Sequence, residues 1–175
     1  MSLGVCLVIA LSVSAHAFDT PDRDPRVRAL DPRLADIVDA GLRQSPTFHS
    51  LVDRLEEGEV VVYLRATTLV SPLQGRLTFM SNVAGRRYVL IEVARDLDVP
   101  RMIAMVGHEL QHAVEILDAP DIMDSSTMAA AYERWGFRQR NTGDRRIGFD
   151  TAAAVLAGRQ VWRELAERRV ILATR

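Results

Sequence analysis

His108 and His112 stand four residues apart with Glu109 between them, in the stretch Gly107-His108-Glu109-Leu110-Gln111-His112. Residues four apart on an α-helix share one face, one turn apart, so both imidazoles can reach a single metal ion. Two histidine nitrogens suit Zn²⁺. A carboxylate between them can take a proton from a water that the metal has acidified. The pattern predicts one Zn²⁺ per chain, with His108 and His112 as ligands and Glu109 as general base. The plain alternative is an exposed histidine pair on an amphipathic helix.

A catalytic zinc needs a third protein ligand. No third histidine follows at a useful spacing, so the candidates are carboxylates. Glu133 is the leading one, on the next expected helix, in a chain that doubles back as an antiparallel pair. Alanines 129 and 130 beside it would let the two helices approach. Glu115 shares the histidine face, but its Cα lies about 4.5 Å beyond that of His112 along the axis. It suits orienting His112 better than binding the metal. Asp118 and Asp150 are further candidates, and Asp150 also reads as a helix N-cap in Gly148-Phe149-Asp150-Thr151. Tyr88, His49 and Tyr132 are candidates for stabilising an oxyanion.

These residues need a scaffold. Residues 19–32 are rich in Asp, Pro and Arg and read as an extended lead-in. Asp31-Pro32 and Ser45-Pro46 each open a helix, with inner stripes Leu34, Ile37, Val38, Leu42 and Phe48, Leu51, Val52, Leu55. Three β-rich runs follow, near residues 60–64, 76–83 and 87–93. Ala84-Gly85-Arg86 joins the last two as a tight antiparallel hairpin. Residues 99–117 form the motif helix, with Ile103, Val106, Leu110, Ala113 and Leu117 in one stripe and the histidines opposite. Asp124 caps a shorter helix that stops at Gly136, and residues 151–168 form the last helix. Strands grouped between helices indicate an α+β fold: a small antiparallel sheet with helices packed on one face.

The chain has 175 residues, 48% of them hydrophobic, and a net charge of −1. That fits one domain with a real core, and gives no reason to expect nucleic acid or an anionic membrane as partner. All 22 basic residues are arginine, spread along the chain, so no anion-binding patch is read from them. Residues 1–17 read as a signal peptide: an apolar run from Gly4 to Val13, then Ala15-His16-Ala17 in small-x-small form. Residues 18–175 would then be a single exported domain, periplasmic or secreted, with no membrane insertion after cleavage. Cys6 lies in the leader, so the mature chain would have no disulfide.

The stretch Gly107 to Ala113, G-H-E-L-Q-H-A, resembles the zincin metallopeptidases and looks like small exported bacterial zincin-like proteins. The resemblance implies a zincin-like fold built round the motif helix, His108 and His112 as zinc ligands, and Glu109 as general base. The spacing to Glu133 is similar to that of gluzincins, whose third ligand is a glutamate on a later helix. Phe137 stands where that group carries a helper aspartate. The expected function is a zinc metallopeptidase acting on a peptide or protein substrate. The alternatives are a non-catalytic metal-binding or interaction module on the same fold, and a structural domain with a chance motif.

Overall fold

The computed structural model describes residues 24–138 and 148–173, so the leader expected over residues 1–17 lies outside the described residues. Side-chain caps set the helix starts. Asp31 accepts from the Leu34 N–H and Pro32 fills the first turn of α1 (Pro32–Gln44). Ser45 accepts from Phe48 N–H ahead of α2 (Pro46–Glu56), and Asp98 from Arg101 N–H ahead of α3 (Val99–Asp118). Asp124 and Thr127 exchange hydrogen bonds at the head of α4 (Ser125–Trp135). Each cap satisfies an N–H that has no partner within its helix, and a proline in the first turn has none to satisfy. α5 (Ala152–Ala173) starts on Thr151, whose hydroxyl accepts from Ala154 N–H at 3.1 Å.

β1 (Val27–Ala29), β2 (Val60–Thr67), β3 (Gly75–Val83) and β4 (Arg86–Ala94) form one sheet in the order β1-β2-β4-β3. The fold is α+β, but the sheet is mixed and not antiparallel as the sequence suggested. The β3–β4 hairpin is antiparallel, and its turn places Ala84 at φ 50° and Gly85 at φ 82°. Two left-handed residues in a row give the turn whose twist matches a hairpin, and glycine takes one of them without strain. β2 pairs in parallel with both β1 and β4. The cause is where the hairpin lands. Residues 68–74 carry the chain across the end of the sheet to its far edge, and β4 then returns between β2 and β3. β2 and β4, the two strands paired on both sides, carry the long apolar runs Val60–Leu64 and Tyr88–Ile91. β1 lies in the stretch read as a lead-in. Three residues are too few to show an alternation.

One face of the sheet supplies Val62, Leu64, Phe79, Val89, Ile91 and Val93 to a core shared with Leu34, Phe48, Leu55, Ile103, Val106 and Leu110 from α1, α2 and α3. The other face carries the stacked rings of Tyr63 and Tyr88 and an ion triad in which Arg65 and Arg76 each bind Glu92 at 2.5 Å. Burial raises the pKa of Glu92, but the two guanidinium groups outweigh it and hold the carboxyl below its ordinary range.

α3 lies between the sheet and α5. α5 sets Ala157, Val161 and Leu165 into the same core. Two glycines allow the close crossing: a Cβ at Gly107 would sit 2.9 Å from Val161 Cγ2, and one at Gly158 would sit 3.0 Å from His108 Cβ. Among the described residues no helix is long and apolar enough to cross a membrane.

The end of α3 is held from the sheet. Arg87 donates to the carbonyls of Ile116 at 2.5 Å, Ala119 at 2.9 Å and Leu117 at 3.2 Å. Carbonyls at a helix end run short of intrahelical partners; Ile116 O and Ala119 O also accept from Ala119 and Ile122 N–H. Arg87 is buried, so replacing it removes three charge-assisted bonds at once. Arg87→Met is expected to lower stability by about 3 kcal/mol, read as a lower denaturation midpoint at unchanged denaturant slope.

Candidate metal centre

The sequence puts the histidines of α3 opposite its apolar stripe, where they would face solvent unless another element covered them. α5 covers them. The middle of α3 is buried on both sides, with Glu109 only 3% and His112 only 5% exposed.

The third vertex comes from a short ribbon. β5 (Phe137–Arg138) pairs antiparallel with β6 (Phe149–Asp150), with Phe137 opposite Asp150. Gly136 lets the end of α4 meet this ribbon, since a Cβ there would lie 2.9 Å from Asp150 O. The ribbon delivers Asp150 to the two histidines. Asp150 Oδ1 is 3.3 Å from His108 Nε2 and 3.5 Å from His112 Nε2. One donor atom from each of the three residues lies within 4.8 Å of the other two. A tetrahedral zinc with bonds of about 2.05 Å has ligand–ligand edges of about 3.3 Å. The two measured edges fit that geometry, and the donor chemistry fits a divalent cation.

Two of the three donors, His112 and Asp150, are oriented by neighbours. His112 Nδ1 lies 2.8 Å from Glu115 Oε2, which turns Nε2 towards the cluster. The Tyr132 hydroxyl donates to the same Glu115 oxygen at 3.1 Å. Thr151 donates its hydroxyl to Glu115 Oε1 at 2.5 Å, and its N–H bonds Asp150 Oδ1 at 2.7 Å. One carboxylate therefore ties the motif helix to α4 and to the residue beside Asp150.

Glu109 lies on the other side of the cluster, against the start of β3. A Cβ at Gly75 would come within 2.5 Å of Glu109 Oε1, so only glycine leaves room for the carboxylate there. Glu109 Oε2 is buried without a hydrogen-bond partner among the described residues. Burial raises the pKa of Glu109, and the two histidines only partly offset that. For His112, burial opposes the charged ring, but hydrogen bonds to Asp150 and Glu115 prevail and push it up to about 10. Burial and the Glu115 charge also raise the Tyr132 phenol.

The structure does not bring Glu133 to the cluster. Glu133 is exposed and lies 3.9 Å from Arg138, because α4 turns Ala131 and Tyr132 inward and Glu133 outward. Asp150 takes the vertex expected of it. Asp118 is also elsewhere, paired with Arg54 at 2.7 Å. His49 pairs with Asp53 at the surface, and Tyr88 lies on the outer face of the sheet. Tyr132 is at the site, but its hydroxyl is committed to Glu115 and His112. A signal for Asp150 was present in the sequence. Asp150-Thr151 offers two adjacent capping side chains where a helix uses one; Thr151 takes the cap, and the Asp150 carboxylate turns to the histidines.

Comparison of the chain with protein-family models, with curated protein sequences and with solved structures gave no significant match.

Two outcomes follow from this geometry. Competition with a chromophoric chelator should show Asp150→Ala weakening zinc binding by at least about 100-fold and Glu115→Gln by about 10- to 100-fold. Glu133→Ala should leave binding unchanged. The second outcome concerns pH. His112 is raised from 6.5 to about 10 in the folded, metal-free chain. Its stabilising contribution is complete below about pH 6.5 and is lost as pH rises towards 10. Melting of metal-free protein should therefore fall across that window. With zinc bound, the ring is held neutral and this fall should disappear.

Proposed function

We propose that this chain is a zinc-dependent peptidase, exported to the periplasm or secreted, that hydrolyses a peptide bond in an extended substrate. One observation carries the reading: His108, His112 and Asp150 converge on a three-donor site with the buried carboxylate of Glu109 beside it. Three protein ligands leave a fourth position open, as catalytic zinc sites require. When bound, zinc would supply an acidified water and polarise the scissile carbonyl.

The chain's own residues do the rest. Glu109 takes one proton from the attacking water as the new C–O bond forms. It returns that proton to the amine nitrogen as the C–N bond breaks. Burial of Glu109 raises its basicity, which suits a base working near neutral pH. Glu115 and Tyr132 hold the His112 ring in place. Among the described residues β3 pairs with β4 on one side only. The outer edge of β3 offers backbone donors and acceptors to an extended peptide, and its first residue, Gly75, lies against Glu109. The proximity of that edge to the base favours a peptide over a small ester or amide.

Glu109→Gln should keep zinc at wild-type stoichiometry and lose cleavage of a peptide library by about 10²- to 10⁴-fold. Bound zinc with no cleavage by the wild type would instead make the chain a metal-binding module on the same scaffold. Absence of stoichiometric zinc would overturn both readings.

A further inference from the structure

Beside the histidines, on the α5 side of the motif helix, lies an open cleft of about 450 Å³. His108 and Met105 contribute to it from α3, Gln74 from the lead into β3, and Gly158 and Trp162 from α5. Three further lining residues are arginines: Arg101 from the first turn of α3, and Arg159 and Arg163 from α5. Arg159 and Arg163 are four apart and so share one face of α5. Among the described residues no aspartate or glutamate lines the cleft. Arg101 lies 3.7 Å from Asp98, and Arg163 Nη1 donates to the Gln160 side chain at 3.3 Å. Both contacts are at the surface and local to one helix. The nearby Glu164 carboxylate is turned away, held by Ser45 and Thr47.

Among arginines spread along the whole sequence, the fold thus gathers three round a cleft that has a candidate metal ligand in its wall. Guanidinium groups bind carboxylates through paired hydrogen bonds with charge assistance. The half-exposed Trp162 ring adds an apolar wall for the aliphatic part of a ligand. We infer that this cleft is a subsite for a carboxylate of the substrate peptide, which makes the enzyme selective for acidic sequences or for chain ends next to the scissile bond. The inference rests on the peptidase reading for its substrate, while the cleft itself does not require the metal.

The test is equilibrium binding of fluorescein-labelled peptides by anisotropy. It uses the zinc-loaded Glu109→Gln protein, which does not turn over, and in parallel the metal-free wild type. Four peptides separate the sources of charge: an internal Glu with an amidated end, an internal Gln with a free end, an internal Gln with an amidated end, and an internal Lys with an amidated end. At least one carboxylate peptide should bind about tenfold more tightly than the neutral one, and the Lys peptide should bind most weakly. The favoured arm identifies the carboxylate as side chain or chain end. Arg159→Gln and Arg163→Gln should each cost about threefold for that peptide only. The double variant should abolish the preference, and so should raised salt. Arg54→Gln, far from the cleft, should change nothing. Equal binding of acidic and neutral peptides, no binding of any peptide, or a preference that survives the double variant would overturn the inference. If zinc fails to bind but metal-free protein still prefers carboxylates, the peptidase reading fails and the subsite stands. Bound zinc without the preference overturns the subsite and leaves the peptidase reading to the cleavage assay.

Discussion

The Glu115 carboxylate is the point on which the rest of the centre depends. It sits on the motif helix, and its two oxygens serve three elements: His112 of its own helix, Tyr132 of α4 and Thr151 at the head of α5. Thr151 in turn caps α5 and bonds the carboxylate of Asp150. The rotamer of one ring, the start of one helix and the position of the third donor are therefore fixed through a single side chain. A buried carboxylate is costly unless its lone pairs are used, and here they are.

Charge explains why such a site calls for a cation. Glu109, Glu115 and Asp150 are largely buried round two imidazoles. Carboxylates taken out of water favour positive charge beside them. The metal-free chain responds by holding protons: His112 is pushed up to about 10 and the carboxyl of Glu109 is raised too. A divalent ion held there would supply positive charge in place of those protons. The perturbed groups and the three-donor geometry thus express one imbalance.

The parts of this structure that the sequence made legible are those written in neighbouring residues. Asp31-Pro32, Ser45-Pro46, Asp98 and Asp124 mark helix starts, since a cap and the N–H it satisfies lie within three positions. Ala84-Gly85 marks the hairpin for the same reason. The motif spacing puts two donors on one helix face. What was not legible depends on distant pairing. The direction of β2 against β4 follows from where the hairpin inserts, which no local pattern encodes. The choice of Asp150 over Glu133 turns on which way α4 faces and on Gly136 admitting the β5–β6 ribbon. The cover of the histidines by α5 likewise rests on Gly107 and Gly158, two small residues far apart in sequence.

The ribbon that carries Asp150 is only two residues per strand and anchors the head of the last helix. An ion bridging α3 and Asp150 would close a chain segment of some forty residues into a ring. Freedom removed in that way changes slowly with segment length, so even a long segment is tied at modest entropic cost. The last helix would then be fastened at its head by coordination and along its length by packing. Metal supply in the surroundings would set how often that helix lifts away, and lifting would expose the histidine face together with the arginine cleft. Occupancy of one small site would in this way govern how long the chain resists proteolysis, apart from any chemistry it performs.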